Sequence, residues 1–205
     1  MSSNNITISR GANAIWLVGT KNINVSQNTV LFNNSAYKTK DNVFGLRIEN
    51  STNAAINANT INANNIPYVQ NVIILDKSKG VNIAGNTLTG AKKHGINLTS
   101  SSASISANTI YGNKENGIFC YKNSTMTTNK NRITGNKKHG IFVNECKGKS
   151  KINGDTIKSN KQCGIAVQKG NNVTINSAKI SKSGKNGIYI FKKSKATINK
   201  CTVSN

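Results

Sequence analysis

The chain has little of several features, and each shortage removes a class of structure. One proline stands among 205 residues, so a proline-rich linker or collagen-like chain is excluded. No apolar run approaches the roughly 20 residues that a transmembrane helix needs, so we predict no transmembrane segment. The first five residues lack the apolar stretch of a signal peptide. We expect a single domain over residues 1–205, cut from a longer secreted protein.

Acidic residues and arginine are also scarce. Lys and Arg total 28 against 6 Asp and Glu, which gives a net charge of +22, and most of the basic residues are lysine. Such a charge repels itself unless an acidic partner or salt screens it. An acidic polysaccharide or an anionic surface fits this charge, whereas nucleic acid is disfavoured because Lys dominates over Arg. The alternative is a drift of exposed positions toward lysine with no bound partner.

The four cysteines have no paired spacing such as C-x-x-C, so the sequence shows neither a zinc site nor a disulfide framework. Cys120 is predicted to be a small apolar residue of the core. His94 and His139 are predicted to lie in turns about 10 Å apart, two strand spacings, which is too far to share a metal.

One feature is abundant, a repeat of 22 to 24 residues. A Gly-Ile pair recurs at this interval, and two further apolar columns keep the same period. Within each predicted strand, inward and outward positions alternate with a period of two, and β-branched residues dominate the inward set. Three apolar columns per repeat predict three short strands in each coil of a solenoid. The glycines are Gly95, Gly117, Gly140, Gly164 and Gly187, and the columns begin at Leu88 and Ile83.

Segments such as Asn108 to Asn113 and Gly117 to Cys120 resemble the parallel β-helix repeat of the pectate-lyase-like superfamily. This resemblance implies an all-β fold, a right-handed single-stranded parallel β-helix of about eight to nine coils. The superfamily includes polysaccharide lyases, glycosidases, epimerases, phage tailspikes and surface proteins, so the fold alone does not give the function. No capping element is visible, and we expect an oligomer partner or further domains at the ends.

Two adjacent coils lengthen the same connection, which places inserted loops at 34–44 and 65–71. These loops contain Tyr37 and Tyr68. Long loops on a rigid scaffold are common places for binding residues, so we predict that both tyrosines contact substrate. The alternative is two tolerated insertions without a role.

Two outward columns of the strand after the repeated glycine carry aromatic residues, and lysine-rich turns flank them. Aromatic rings bury the apolar faces of sugars, and in the superfamily the substrate lies along the outer face of this kind of strand. The alternatives are cross-strand packing of the rings, or an interface with another subunit or domain. The substrate-binding residues predicted here are Trp16, Phe119, Tyr121, Phe142, Asn144, Tyr189, Phe191, Lys114 and Lys138.

Glu49 and Asp76 fall in one outward column on adjacent coils, about 5 Å apart. Arg47 and Lys77 are available to neutralise them, and Ca²⁺ bound by both carboxylates is a second option. Lyases of uronic-acid polymers use a Lys or Arg base, so these four residues form a candidate catalytic group. A glycoside hydrolase is the weaker enzyme class, and a plain surface salt bridge is the alternative to catalysis. No acidic cluster of the polygalacturonase type is present, which counts against an enzyme.

The leading hypothesis is an extracellular or cell-surface module that binds an acidic polysaccharide along the aromatic and lysine-lined face. Two alternatives stay open: a polysaccharide lyase acting on uronic-acid polymers, and a structural or adhesive repeat without catalytic activity. The sequence does not decide whether the chain is an enzyme.

Overall fold

The structure is a computed structural model that describes residues 1–9, 12–33, 42–146, 148–169 and 172–204. These ranges contain 25 short strands, and none of their residues forms a helix long and apolar enough to cross a membrane. In chain order the strands are β1 (Asn5–Ile8), β2 (Ile15–Val18), β3 (Asn24–Ser26), β4 (Thr29–Phe32), β5 (Val43–Glu49), β6 (Ala55–Asn57), β7 (Thr60–Asn62), β8 (Val69–Asp76), β9 (Val81–Ala84), β10 (Thr87–Thr89), β11 (His94–Thr99), β12 (Ser102–Ser106), β13 (Thr109–Tyr111), β14 (Ile118–Tyr121), β15 (Thr125–Asn129), β16 (Arg132–Thr134), β17 (Ile141–Asn144), β18 (Lys149–Asn153), β19 (Thr156–Lys158), β20 (Ile165–Gln168), β21 (Asn172–Asn176), β22 (Lys179–Ser181), β23 (Ile188–Phe191), β24 (Lys195–Asn199) and β25 (Thr202–Ser204).

Every third strand belongs to the same sheet, so each coil contributes one strand to each of three sheets. The first sheet begins with β1 and β4 and has nine strands. The second begins with β2 and β5, the third with β3 and β6, and each has eight. Neighbouring coils pair in parallel. The predicted parallel β-helix with three strands per coil is confirmed, with about eight turns.

The apolar columns predicted from the repeat form the core. In the second sheet Ile118 pairs with Ile96 on one side and with Ile141 on the other. In the first sheet Ile110 pairs with Ile133. All five side chains are buried. β-branched residues of successive coils therefore stack inside the solenoid, where parallel strands favour them.

The recurring glycine has a steric cause. A Cβ atom on Gly117 would collide with the side chain of Ile133 and lie 2.7 Å from the carbonyl oxygen of Gly140 on the next coil. That carbonyl accepts a hydrogen bond of 2.9 Å from the Ile118 N–H. Glycine is therefore needed here because the next coil approaches closely, and the backbone is not left-handed. The same crowding occurs at Gly95, Gly140 and Gly164.

A buried ladder of asparagines ties the coils together at the turn before the first sheet. The Asn86 N–H and its Nδ2 both donate to Asn108 Oδ1, at 2.8 and 2.9 Å. Asn108 donates in the same two ways to Asn131 Oδ1, and its Nδ2 also reaches the carbonyl oxygen of Ile83. The buried amides are thus bonded to neighbouring coils, which stabilises their register. The asparagines of this ladder are Asn28, Asn59, Asn86, Asn108 and Asn131.

Asp155 ends this ladder with a carboxylate. One oxygen accepts hydrogen bonds from the N–H and the Nδ2 of Asn131, at 2.7 and 2.8 Å, and the other accepts one from the Thr128 hydroxyl. Thr128 stands where the adjacent coils place Ile105 and Ile152, so it supplies the donor that the second oxygen needs. Burial raises the pKa of Asp155, and these hydrogen bonds oppose the rise.

Both predicted insertions end later in the sequence than the loops of the structure do. Val43 and Phe44, predicted to close the first loop, begin β5, and Val69 to Asn71 of the second loop begin β8. The cause is burial, since the side chains of Val43 and Val69 lie in the interior and that of Phe44 is only 7% exposed. Most of the first loop, including Tyr37, lies outside the described residues.

Tyr68, the second tyrosine predicted to contact substrate, is buried. Its side chain is 5% exposed and packs in the core beside the buried Ile66 and Val69. The Val43 N–H donates a hydrogen bond of 3.4 Å to the carbonyl oxygen of Tyr68, so this turn is joined to the preceding coil. The longer connection needs apolar residues to cover the interior beneath it, and burying an aromatic ring is strongly favourable.

The last coil leaves part of its interior column uncovered. Ile198 and Val203 are 48% and 50% exposed, although their partners Ile175 and Ile180 on the preceding coil are buried. This coil therefore presents an apolar surface. A second copy or a further domain at the ends stays a prediction.

Replacing Gly117 with alanine should lower the free energy of unfolding by about 3 kcal/mol, because the new methyl group overpacks a site closed by the Ile133 side chain and the backbone of the next coil. Urea denaturation followed by circular dichroism measures the change.

Gly135→Ser is the matched control. Gly135 has φ +64 with open space around it, and Ser159 holds the equivalent turn position at φ 55. We expect this change to cost about 1 to 2 kcal/mol, the cost of a left-handed backbone at a residue with a Cβ atom, and less than Gly117→Ala. Equal losses for the two variants would contradict the steric explanation.

Candidate functional site

The outward face of the second sheet carries most of the predicted binding residues, and the predicted register of its two columns is confirmed. The first column reads Trp16, Arg47, Ile74, Asn97, Phe119, Phe142, Ala166 and Tyr189. The second reads Val18, Glu49, Asp76, Thr99, Tyr121, Asn144, Gln168 and Phe191.

The aromatic residues of this face form three clusters. In the middle cluster, Phe119 stacks on both Phe142 and Tyr121, with ring centroids 5.3 Å apart in each pair. Tyr189 and Phe191 form a second stacked pair with centroids 4.4 Å apart. The third consists of Trp16, which is 54% exposed, and Phe44, with the Arg47 guanidinium 4.8 and 5.6 Å from their ring centroids. The three clusters lie in line along the solenoid.

A cleft of about 330 Å³ lies beside the middle cluster. Phe119 and Tyr121 form one wall, Phe44 and Ile74 add apolar surface, and Asn97 lies among them. The cleft is therefore partly apolar and partly lined by amides, with Lys93 and His94 also present. Such a mixture suits a ligand with both apolar faces and hydroxyl groups.

Two amide oxygens of this face lack a partner. Asn97 Oδ1 and Asn144 Oδ1 are buried and accept no hydrogen bond from the described residues. A buried acceptor without a donor is costly, so a ligand or water that donates a hydrogen bond is favoured at both places. Asn144 is 8% exposed, which leaves only a narrow approach to its side chain.

The four candidate catalytic residues lie at one side of this cleft. Glu49 and Asp76 are register partners on adjacent coils, and Arg47 forms a salt bridge of 3.1 Å with Glu49. Lys77 follows at the end of β8 with φ 48 and is exposed. Arg47 thus already neutralises one carboxylate while its guanidinium covers Trp16.

In the described ranges no three acidic, histidine or cysteine side chains come together in a way that could hold a metal ion. Calcium at Glu49 and Asp76 would therefore have two protein carboxylates as its acidic ligands, and it stays a prediction.

Lysines accompany the face on both sides. Before the strands, Lys114 is exposed and Lys138 forms a salt bridge of 3.2 Å with Glu115. After the strands, Lys122 and Lys192 lie about 6 Å from the ring centroids of Tyr121 and Phe191. The side chains of the aromatic columns are thus bordered by positive charge, most of it not neutralised by the few acidic residues.

A second ladder of hydrogen-bond acceptors runs along the edge of the face and contains both histidines. Asn71 Oδ1 accepts from the His94 N–H at 3.2 Å, and His94 Nδ1 accepts from the Asn116 N–H at 3.3 Å. Asn116 Oδ1 accepts from the His139 N–H at 3.0 Å, and His139 Nδ1 from the Cys163 N–H at 3.2 Å. A ring nitrogen thus replaces an amide oxygen in alternate coils, which requires the neutral imidazole.

Both rings also support the middle aromatic cluster. His94 lies against Phe119 and His139 against Phe142, with centroids 4.8 and 5.0 Å apart. Burial lowers the pKa of His94 to about 3 and that of His139 to about 4, and the positive charge of Lys138 contributes in both cases. The two imidazoles are therefore neutral at physiological pH.

The family model for the right handed beta helix region matches residues 1–157 and 139–205, which together span the chain. The chain belongs to the right-handed β-helix family. No curated protein matches this sequence.

Several solved structures resemble this β-helix. The periplasmic alginate epimerase AlgG is 18% identical, with a TM-score of 0.76 over 92% of this chain and 46% of that chain. The A-module of the Azotobacter vinelandii mannuronan C-5 epimerase AlgE4 is 11% identical, with a TM-score of 0.68 over 100% and 75%. The pectate lyase Pel9A is 13% identical, with a TM-score of 0.58 over 89% and 44%. The β-helix spans about half the length of AlgG, and these similarities show the fold alone.

Sequence reasoning missed the role of the histidines. They were predicted as turn residues, but His94 begins β11, and both rings belong to a ladder. The available signal was Asn116, which occupies the same repeat position in the coil between them. The two unpartnered amide oxygens had no signal in the sequence, because partner geometry depends on side-chain packing.

Acidification should destabilise this β-helix through its histidines. Their folded pKa values lie below the ordinary 6.5, so the unfolded chain binds protons first. The contribution of the neutral histidines to the free energy of unfolding is complete above about pH 6.5. It is lost as the pH falls toward about 4 for His139 and about 3 for His94. Chemical denaturation across this range measures the free energy of unfolding.

The variant H94N/H139N keeps an acceptor at both positions and removes the titration. Its free energy of unfolding should fall less steeply with acidification than that of the natural chain, while Asp and Glu titrate alike in both. Identical pH slopes would contradict this role of the histidines.

Proposed function

We propose that this β-helix binds an acidic polysaccharide along the outer face of its second sheet. The observation that carries the proposal is the line of three aromatic clusters on that face, with a cleft of about 330 Å³ beside the middle one. A polymer that crosses the coils would meet all three clusters. We propose an extracellular or periplasmic location, which the name of the similar periplasmic alginate epimerase AlgG supports.

The chemistry of the cleft fits a sugar unit. The apolar face of a sugar ring packs on Phe119, since aromatic rings accept such faces while leaving the hydroxyl groups free. A hydroxyl group directed toward Asn97 Oδ1 supplies the donor that this buried oxygen lacks. Lys93 lies at the same cleft and provides a positive charge for a sugar carboxylate.

The charge of the chain supports an acidic polymer over a neutral one. The net charge is +22, and lysines border the aromatic columns on both sides. The attraction between such a surface and a polyanion is long-ranged and sensitive to salt. The names of the similar solved structures, which include alginate and mannuronan epimerases and a pectate lyase, add support for a polysaccharide ligand.

A polysaccharide lyase centred on Arg47, Glu49, Asp76 and Lys77 is the second candidate function. The observation that favours it is the register pairing of the two carboxylates beside an arginine, on the two strands that also contribute Phe44 and Ile74 to the cleft. Unsaturated uronate products absorb ultraviolet light, so incubation with alginate and pectate, with and without Ca²⁺, tests it. No rise in absorbance under any of these conditions would exclude a lyase acting on those polymers.

Phe119→Ala should weaken binding of oligouronates by about tenfold, the equivalent of roughly 1.4 kcal/mol, because it removes the central ring of the middle cluster. Isothermal titration calorimetry with oligomannuronate and oligogalacturonate measures the dissociation constant.

Tyr111→Ala is the matched control, since Tyr111 is 41% exposed but lies on β13 of the first sheet. Its loss should leave affinity unchanged. The proposal fails if neither oligouronate binds the natural chain, or if the two variants lose affinity equally.

Lys114→Gln should weaken binding of the same oligouronates by roughly threefold at about 0.1 M salt and have almost no effect at about 1 M, where the Debye length falls from about 10 Å to about 3 Å. Lys158→Gln, an exposed position on β19 in the first sheet, is the control and should change little. Binding that is insensitive to salt would contradict recognition of an acidic polymer.

A further inference from the structure

Two buried cysteines on neighbouring coils face each other. Cys120 Sγ lies 3.0 Å from Cys146 Sγ, and the side chains are 0% and 2% exposed. Cys120 is part of β14 and pairs in register with Val143 of β17, and Cys146 lies just after β17 ends. The residues are 26 positions apart, so the stacking of the coils, not local spacing, brings them together.

The two sulfur atoms are about 1 Å farther apart than in a disulfide, a gap that small side-chain rotations close. The other two cysteines have different neighbours. The Cys163 thiol lies 3.8 Å from Asn186 Oδ1, and the Cys201 thiol 3.6 Å from the carbonyl oxygen of Ile175. We infer that Cys120 and Cys146 form a disulfide between adjacent coils when the chain folds under oxidising conditions.

The chemistry is thiol–disulfide exchange with a small-molecule disulfide as the oxidant. The Cys146 thiolate attacks one sulfur of the oxidant and releases the first small thiolate. The Cys120 thiolate then attacks Cys146 Sγ in the mixed disulfide and releases the second. The two protons from the cysteines go to the two released thiolates, and two electrons pass from the protein to the oxidant.

Burial of the two cysteines determines when the disulfide can form. The hydrogen bond with Cys146 and desolvation raise the pKa of Cys120, so few thiolates exist once the coils have closed. The bond therefore forms while the chain folds. Once formed, it is shielded from reductants, because both sulfur atoms lie in the interior.

The position of the bond gives it a structural role. Cys120 stands between Phe119 and Tyr121 in β14, and Phe142 belongs to the coil that contains Cys146. The disulfide would thus join the two coils that carry the middle aromatic cluster. Closing a loop of this length restricts the unfolded chain and stabilises the fold.

Peptide mapping tests the bond directly. The chain is refolded with a mixture of oxidised and reduced glutathione, alkylated without reduction and cleaved with trypsin. Cleavage after Lys114, Lys122, Lys138 and Lys147 separates the two cysteines into different peptides. We expect residues 115–122 and 139–147 as one linked species, with Cys163 and Cys201 alkylated. Recovery of both peptides alkylated and unlinked, or linkage to Cys163 or Cys201, would overturn the inference.

Thermal unfolding supplies the second measurement. The oxidised natural chain should melt about 5 to 10 °C higher than the same chain after reduction in denaturant and refolding with thiol. Cys146→Ser should show no such difference, and it is expected to fold because Ser51, Ser78 and Ser101 occupy the equivalent place in other coils. Cys120→Val, which copies its partner Val143, serves if the serine variant fails to fold. Equal melting temperatures for the oxidised and reduced natural chain would contradict the bond.

Discussion

The hydrogen bonding of each coil to the next is the constraint on which the rest of this structure depends. None of the 25 strands in the described part of the chain has a partner within its own coil, so every ladder between them joins residues that are 22 or more positions apart in sequence. Glycine at Gly117 lets two coils approach, and the amide of Asn108 binds the backbone and side chain of its neighbours. Close stacking and buried amides thus fix one register, and a shift by one residue would place the isoleucine columns in water.

The proposed binding face is a consequence of the same register. Five of the eight strands of the second sheet (β2, β14, β17, β20 and β23) have four residues and offer only two outward side chains, so a single coil provides little binding surface. Stacking converts a Phe in one coil and a Phe in the next into a continuous apolar surface, with lysines from the turns repeated alongside. A ligand that matches this surface is long and repetitive, as a polysaccharide is. The two histidines of the ladder along its edge pack against Phe119 and Phe142 and so support the middle of this surface.

The repeat made most of the fold predictable, whereas features that depend on packing were not. The columns of Ile118 and Phe119 follow from the period and the alternation, and the adjacency of Glu49 and Asp76 follows from the same alignment. Burial of Tyr68 could not be predicted, because the sequence does not show how a longer connection folds over the core. Nor could the approach of Cys120 to Cys146, since their spacing combines a coil with part of a turn. Some turns have lysine in the left-handed conformation, such as Lys122, although this conformation favours Gly or Asn. Residue type alone therefore did not indicate the backbone conformation of these turns.

Nuclear Overhauser effects between isoleucine methyl groups test the stacking most directly. In a sample with protonated isoleucine methyl groups on a deuterated background, the stacked register predicts a chain of cross-peaks from Ile96 to Ile118, from Ile118 to Ile141 and from Ile141 to Ile165, assigned by single Ile→Val substitutions. Absence of these cross-peaks, or cross-peaks that pair Ile118 with residues of non-adjacent repeats, would contradict the register and with it the proposed binding face.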